Sequence, residues 1–203
     1  GHGSGATGWA PIMGVGYYQT LVQWSKGEYT TANNVQDDYS VMAANGLPIR
    51  LDDHGDTLAT ASALPGTTLN GVTGFSVSGV IERPGDVDLF SFTSGPGSIT
   101  LSVSPAAHSP NLDVLIELRN GSGALLASAN PVDLLTASLS YIAPTAATYY
   151  VGVQGVGKGH PLSTGYTDYG SIGQYAISGS ATASAGQPPV AALTATPVSG
   201  TVP

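Results

Sequence analysis

The chain has 203 residues, of which 41% are hydrophobic, 9% are charged and none is cysteine, and its formal net charge at pH 7 is −8. Five Lys and Arg cannot form the basic surface that a nucleic acid requires, and a chain without cysteine forms neither disulfides nor thiolate metal sites. No stretch of about 18 apolar residues is present, so the sequence predicts no membrane span.

The first region, residues 1–50, contains both tryptophans, both methionines and four of the ten tyrosines. One helix is predicted here, at residues 31–44. The aromatic side chains of Trp9, Trp24, Tyr17 and Tyr18 are expected to rest on the remainder of the chain, to pair between copies, or to stay unpacked. Exposed aromatic surface favours association, so these alternatives matter for the behaviour of the chain in solution.

From about residue 52 to residue 181, apolar residues alternate with Ser, Thr and other polar residues. Strict alternation with small hydroxylic residues on one side is typical of antiparallel sheets that bury one face. The alternating apolar positions are Phe75, Val77 and Ile81; Phe90 and Phe92; Ile99, Leu101 and Val103; Leu112, Val114, Ile116 and Leu118; Leu135, Leu139 and Tyr141; Tyr149, Val151 and Val153; and Tyr175 with Ile177. About seven or eight such strands predict an all-β fold, an antiparallel β-sandwich of jelly-roll or Greek-key type with a short, partly helical N-terminal segment.

The order of these strands and of the turns between them resembles the bacterial pre-peptidase C-terminal domain. The matching stretches are residues 52–64 (DDHGDTLATASAL), 79–92, 109–130 (SPNLDVLIELRNGSGALLASAN), 148–157 and 169–179. The resemblance covers roughly two thirds of the chain and implies a β-sandwich appendage of a secreted bacterial metallopeptidase. Related collagen-binding modules of clostridial collagenases share that fold.

The N-terminal region resembles a different family. Residues 9–14 (WAPIMG) look like the Met-turn of metzincin-type zinc peptidases, in which a methionine, here Met13, packs beneath the metal without binding it. The zinc-binding signature His-Glu-x-x-His-x-x-Gly-x-x-His is absent from this sequence, so the resemblance implies zinc only in a catalytic domain that precedes it.

The last residues, 184–203, are rich in Pro, Ala and Thr, and the stretch 188–203 (PPVAALTATPVSGTVP) resembles the first strand of a polycystic-kidney-disease-type domain. The expected organisation is therefore the end of a peptidase catalytic domain at residues 1–50, the β-sandwich at 51–183, and a linker with the start of another β domain at 184–203.

Acidic residues at the entrance of the predicted sandwich are candidates for calcium ligands. Asp53 and Asp56 match acidic positions of the entrance in the resembled modules, and Asp86 and Asp88 match carboxylates of an early strand. Calcium takes six to eight oxygen ligands, so four carboxylates with carbonyls and waters suffice. The alternative is that these aspartates cap a turn and mark a strand end.

Three tyrosines, Tyr150, Tyr166 and Tyr169, are candidates for a binding surface, because exposed tyrosines on one sheet face suit an extended protein or polysaccharide polymer. The alternative is that they pack in the core or at a sheet edge.

The leading hypothesis is a non-catalytic accessory module that stabilises, spaces or targets a secreted metallopeptidase, with the parent catalytic domain as its partner. The rival hypothesis is a fragment of the zinc peptidase itself that contributes its Met-turn to protein hydrolysis. A third is a spacer without a ligand.

Overall fold

The computed structural model describes residues 1–184, so the resemblance at the C-terminal tail lies outside the described residues. Twelve strands occur in this part: β1 (Trp9–Pro11), β2 (Leu21–Gln23), β3 (Ser62–Ala63), β4 (Gly66–Leu69), β5 (Val72–Ile81), β6 (Val87–Ser94), β7 (Gly97–Pro105), β8 (Val114–Asn120), β9 (Leu125–Ala129), β10 (Ala137–Ala143), β11 (Ala147–Gly155) and β12 (Gly173–Thr182). One α-helix, α1 (Asp38–Ala44), and two 3-10 turns, Gly5–Thr7 and Asp168–Gly170, complete the secondary structure of the described residues.

Ten of these strands form two five-stranded sheets, which pack face to face. The first sheet has the order β10-β7-β12-β5-β4 and the second has the order β3-β6-β11-β8-β9. All pairings in them are antiparallel except that of β3 with β6. The predicted antiparallel β-sandwich is thus confirmed, with more strands than the seven or eight expected.

The core lies between the two sheets and follows the alternation of the sequence. Along β8 the side chains of Val114, Ile116 and Leu118 are fully buried while Leu115 and Glu117 are partly exposed. Each large aliphatic or aromatic side chain removed from water in this way stabilises the fold by about 1.5–3 kcal/mol. Gly, Ser and Thr occupy many of the outward positions, so the outer faces of the sheets are polar although few residues are charged.

The N-terminal region packs on the loops at one end of the sandwich. Trp9 on β1 and Leu21 on β2, which pair as a small parallel sheet, form a buried cluster with Leu135 and Tyr166. A second contact joins α1 to the loop before β12, because the Tyr39 hydroxyl donates a hydrogen bond of 2.8 Å to the Tyr169 carbonyl. Of the three expected arrangements, Trp9 therefore adopts the first and rests on the sandwich.

The helix is shorter than the predicted 31–44. It begins after Asp37, whose carboxylate accepts a hydrogen bond from the Ser40 amide as an N-cap. Before it, Thr31 has a φ of 65° and the Asn34 side chain accepts a hydrogen bond from the Gln36 amide. Such local side-chain hydrogen bonds compete with helical ones, which keeps residues 31–36 out of the helix.

The chain enters the sandwich at one end and leaves it at the other. Residues 52–56 lie at the end where β5 finishes and β6 starts, close to Arg83. The last strand, β12, pairs Gly173 with Ile81 at that end and Thr182 with Val72 at the opposite end. Along residues 1–184, no helix is long and apolar enough to cross a membrane.

Candidate metal centre

Four carboxylates converge where the chain enters the sandwich. One oxygen from each of Asp52, Glu82, Asp86 and Asp88 lies within 4.8 Å of the others; these residues are called the acidic cluster below. Asp52 comes from residues 52–56, called the entrance segment below. Glu82 follows β5 of the first sheet, and Asp88 lies on β6 of the second sheet. The cluster therefore joins both sheets and the segment that leads into them.

A tight turn at residues 83–86 brings the cluster together. The Asp86 amide donates to the Arg83 carbonyl at 3.2 Å, and Gly85 has a φ of 79°, a backbone conformation that glycine adopts without strain. The Glu82 amide in turn donates to the Asp86 carboxylate at 3.0 Å. This turn reverses the chain between the sheets and places Glu82 and Asp86 side by side.

Three members of the cluster are buried without enough hydrogen-bond donors. Glu82, Asp86 and Asp88 expose 5%, 1% and 0% of their surface. Both carboxylate oxygens of Glu82 and one oxygen each of Asp86 and Asp88 have no hydrogen-bond partner, and of these the Asp86 oxygen has an ion-pair contact of 3.3 Å with Arg83. A buried carboxylate without partners is costly, so this arrangement favours either protonation or a bound cation.

Burial and mutual repulsion raise the pKa values within the cluster. Burial raises the pKa of Asp88 to about 8, against the hydrogen bond from Tyr175, and the charges of Asp53, Asp86 and Glu82 add to the increase. Burial raises the pKa of Glu82 to about 7, helped by its contact with Asp86 and by the charge of Asp53. A cation placed among these oxygens opposes both effects, because it ligates the buried oxygens and cancels their charge.

Two arginines partly neutralise the region. The Arg83 guanidinium lies 3.3 Å from both Asp52 and Asp86 and 3.6 Å from Asp56. Arg50 is farther away, with its Nε 3.9 Å from a Glu82 oxygen. Both side chains are substantially exposed, at 41% and 62%, so solvent weakens these ion pairs. The arginines therefore leave an excess of carboxylate charge over cationic charge.

The donor set fits calcium. Calcium binds oxygens at about 2.3–2.6 Å, so ligands on opposite sides of the ion lie about 4.6–5.2 Å apart. The four oxygens all lie within 4.8 Å of one another, so one calcium ion can contact all of them. Magnesium demands a near-ideal octahedron at about 2.0–2.1 Å and keeps several of its waters, so a site with four protein carboxylates suits it less well than calcium.

A hydrogen bond between the two sheets fixes the position of Asp88. The Tyr175 hydroxyl on β12 donates to the Asp88 carboxylate at 2.5 Å. Gly79, which pairs with Tyr175 across β5 and β12, leaves space for this ring, since a Cβ there would lie 2.3 Å from the hydroxyl oxygen. One carboxylate oxygen of Asp88 thus points to Tyr175 and the other remains free for a metal.

The structure brings two of the four predicted calcium ligands, Asp86 and Asp88, into the acidic cluster. Asp53 lies beside it, 4.0 Å from Arg50 and 3.9 Å from His54. Asp56 interacts with Arg83 and is not a member of the cluster. The members that sequence reasoning missed are Asp52, which is adjacent to a predicted ligand, and Glu82, which directly follows a buried strand.

The other predicted site residues have different environments. Tyr166 and Tyr169 are buried, at 2% and 6% exposure, and their hydroxyls donate to Asp113 at 2.6 Å and to Asp37 at 2.8 Å. Tyr150 is half-buried on β11, and Met13 is exposed in the connection between β1 and β2. The three tyrosines therefore do not form one exposed surface.

We expect Tyr175→Phe to lower the free energy of unfolding by about 1–3 kcal/mol, because it leaves a buried carboxylate oxygen without its donor. The same change should raise the pKa of Asp88 further, since the lost hydrogen bond opposes the effect of burial. Urea denaturation and an NMR titration of the Asp88 carboxyl carbon measure the two effects. Tyr150→Phe, outside the cluster, is the control. If the pKa of Asp88 is the same in Tyr175→Phe as in the wild-type chain, the described hydrogen bond is wrong.

Comparison with known proteins finds solved structures that are similar to this chain. No family model matches the chain, and no curated protein matches it. One similar structure is PliG of Aeromonas hydrophila, a periplasmic lysozyme inhibitor of g-type lysozyme, with a TM-score of 0.40 and 9% identity over 59% of this chain and 96% of that one. Another is the pre-peptidase C-terminal domain of collagenase from Bacillus anthracis, with a TM-score of 0.38 and 16% identity over 64% of this chain and 97% of that one.

Proposed function

We propose that the chain is a non-catalytic accessory module of a secreted bacterial metallopeptidase, and that a calcium ion in the acidic cluster stabilises its β-sandwich. One observation carries the calcium site: Glu82, Asp86 and Asp88 are buried, and four of their oxygens have no hydrogen-bond partner. The accessory role is supported by the sequence resemblance at residues 52–64 and 79–92.

The residues that would hold the ion are Asp52, Glu82, Asp86 and Asp88. Bound calcium supplies positive charge and oxygen ligation, and it takes no part in bond-breaking chemistry in this proposal. Because the ligands come from the entrance segment and from both sheets, the ion ties these three parts together. Such a tie stabilises a module that must keep its fold outside the cell.

We propose from the sequence that the chain itself is not catalytic. The four histidines stand at positions 2, 54, 108 and 160, so no pair has the spacing of a zinc-binding helix. Met13, which the rival hypothesis places beneath a zinc ion, is 78% exposed. Hydrolysis of casein by the purified chain, with and without added zinc, separates the two hypotheses, and chelator-sensitive turnover would exclude the accessory role.

We expect isothermal titration of the chelator-treated chain with calcium to show one site per molecule. Asp88→Asn should abolish binding because it removes a buried ligand. Asp56→Asn is the matched control, since it removes an equal charge from the same region but from outside the cluster. Equal loss of binding in both variants would indicate a general electrostatic effect rather than a built site, and no binding by the wild-type chain would exclude calcium.

A further inference from the structure

The strand β10 leaves one edge of the sandwich open. It lies at the end of the first sheet and pairs with β7 on one side only. All seven of its residues pair with β7 in a continuous register. Within residues 1–184, no main-chain group outside β7 hydrogen-bonds to the main chain of β10. The second side of this strand is therefore available for pairing.

The contacts of β7 show which residues of β10 direct their main-chain groups to the open side. The Ser98 carbonyl of β7 accepts a hydrogen bond of 3.4 Å from the Thr182 hydroxyl of β12, so the main-chain groups of Ser98 point away from β10. Ser98 pairs with Ile142, and successive pairs in an antiparallel ladder alternate between bonded and non-bonded. Ile142, Ser140 and Ser138 therefore direct their N–H and C=O groups to the open side.

The other three edge strands have features that discourage pairing with another chain. β3 has two residues, and β4 has four and directly follows Pro65. β9 has five residues, and its pairing with β8 has a register shift at Leu118 and Arg119. β10 has seven residues, none of which is charged, proline or glycine. Because native sheets protect their edges with short strands, bulges, prolines and charges, β10 is the edge that is left open to another strand.

The sequence of β10 is complementary to itself. When two β10 strands pair in antiparallel fashion about Ser140, Leu139 of each copy lies opposite Tyr141 of the other, and Ser138 lies opposite Ile142. Leu139 and Tyr141 pack against the core but are only partly buried, so this pairing covers apolar surface that a single sandwich leaves exposed. Ser140 lies opposite its own copy, and no charged side chain meets a like charge along the strand.

We propose that two copies of the chain associate through antiparallel pairing of their β10 strands, about a two-fold axis at Ser140. The pairing joins the two first sheets, each of five strands, into one continuous sheet. The net charge of −8 on each copy opposes association, so the dimer should become stronger as added salt screens this repulsion. The acidic cluster takes no part in the pairing, so the dimer does not depend on the proposed calcium site.

Sedimentation equilibrium of the full chain tests the proposal. With rising concentration, we expect the mass to increase from 20.3 kDa towards twice that value. Ser140→Lys and Ser140→Glu should each weaken association by about fivefold, because like charges then lie opposite each other. An equimolar mixture of the two variants should associate more strongly than either alone, because the charges then attract. Overall charge would instead favour Ser140→Lys alone, since it lowers the net negative charge of both copies.

Ser76→Lys is the matched control, because Ser76 is exposed on β5 of the same sheet, away from the β10 edge. It should leave the dimer intact. A second comparison is Tyr17→Ala combined with Tyr18→Ala, which removes two exposed aromatic side chains and should also leave the dimer intact.

A wild-type chain that keeps a mass of 20.3 kDa at every concentration overturns the proposal without any variant. A mixture of the Lys and Glu variants that associates no more strongly than the Lys variant alone also overturns it. If the double tyrosine variant is monomeric while Ser140→Lys still dimerises, the copies associate through the aromatic residues and the β10 pairing is wrong.

Discussion

Millimolar calcium is expected to raise the melting temperature of the chain by roughly 5–10 °C. An ion that binds only the folded form stabilises it by about 2.7 kcal/mol at a hundredfold excess over its dissociation constant. For a chain of this length each kcal/mol shifts the midpoint by about 2–4 °C. Magnesium should raise the midpoint less, because it gives up its waters reluctantly and demands a strict octahedron.

The pH dependence of this effect has a definite sign. Without calcium, Asp88 has a folded-state pKa of about 8 against an ordinary value of 3.8. Between these values the folded chain binds a proton that the unfolded chain lacks, so stability rises as the pH falls through this window. Glu82, with a pKa of about 7, adds to the same trend. In saturating calcium the carboxylates must be ionised, so the benefit of the ion is lost as the pH falls through the same window.

Asp88→Asn should have opposite effects on the melting temperature of the calcium-free chain and of the calcium-bound chain. In chelator above about pH 8, the variant should melt at least as high as the wild-type chain, because it removes a buried charge and keeps an acceptor for Tyr175. In calcium it should melt lower than the wild-type chain, because a ligand is lost. Asp56→Asn should retain the calcium response. If the wild-type chain has the same melting temperature in calcium and in chelator, the proposed calcium site is wrong. These comparisons need only thermal unfolding followed by circular dichroism.

Trp9→Ala is expected to lower the free energy of unfolding by about 3–5 kcal/mol, the range for aromatic truncation in a packed core. Trp9 is 2% exposed, and its ring lies 5.2 Å from that of His2, 5.4 Å from Tyr29 and 5.9 Å from Tyr166. Its loss leaves a cavity over Leu135 and loosens the contact between the N-terminal region and the sandwich. Urea denaturation followed by circular dichroism gives the value.

Tyr17→Ala is the matched control for this prediction, because it removes another aromatic side chain from the same region. Tyr17 is 91% exposed, so its removal should change stability by less than about 0.5 kcal/mol. Equal effects of the two substitutions would mean that Trp9 does not pack on the sandwich in solution.

The central strands could be predicted from the sequence because each buries one face. Ile99, Leu101 and Val103 show this in β7, where all three are buried and the residues between them are partly or fully exposed. Two of the edge strands, β3 and β4, could not be predicted in the same way. β3 has two residues and β4 is exposed at every position, so neither carries an alternating pattern. Their places are determined by pairing with β6 and β5 rather than by their own sequence.

The candidate site was only partly predictable, for physical reasons. Asp88 could be placed on the core face because it alternates with Phe90 and Phe92. Glu82 follows Ile81, a core residue, and alternation alone would place it towards solvent; the turn at 83–86 and the entrance segment bury it instead. The burial of Tyr169 depends on Tyr39, which is separated from it by 130 residues. No local sequence pattern indicates such a contact.

The passage of the chain from one end of the sandwich to the other determines how the module responds to a pulling force. A force applied between residue 52 and residue 182 acts along the strands, over roughly 30 Å for a ten-residue strand. β12 lies between β5 and β7, and its antiparallel hydrogen bonds run across the direction of pull. These bonds are loaded in shear and must break together rather than one after another, so the sandwich resists extension along this axis.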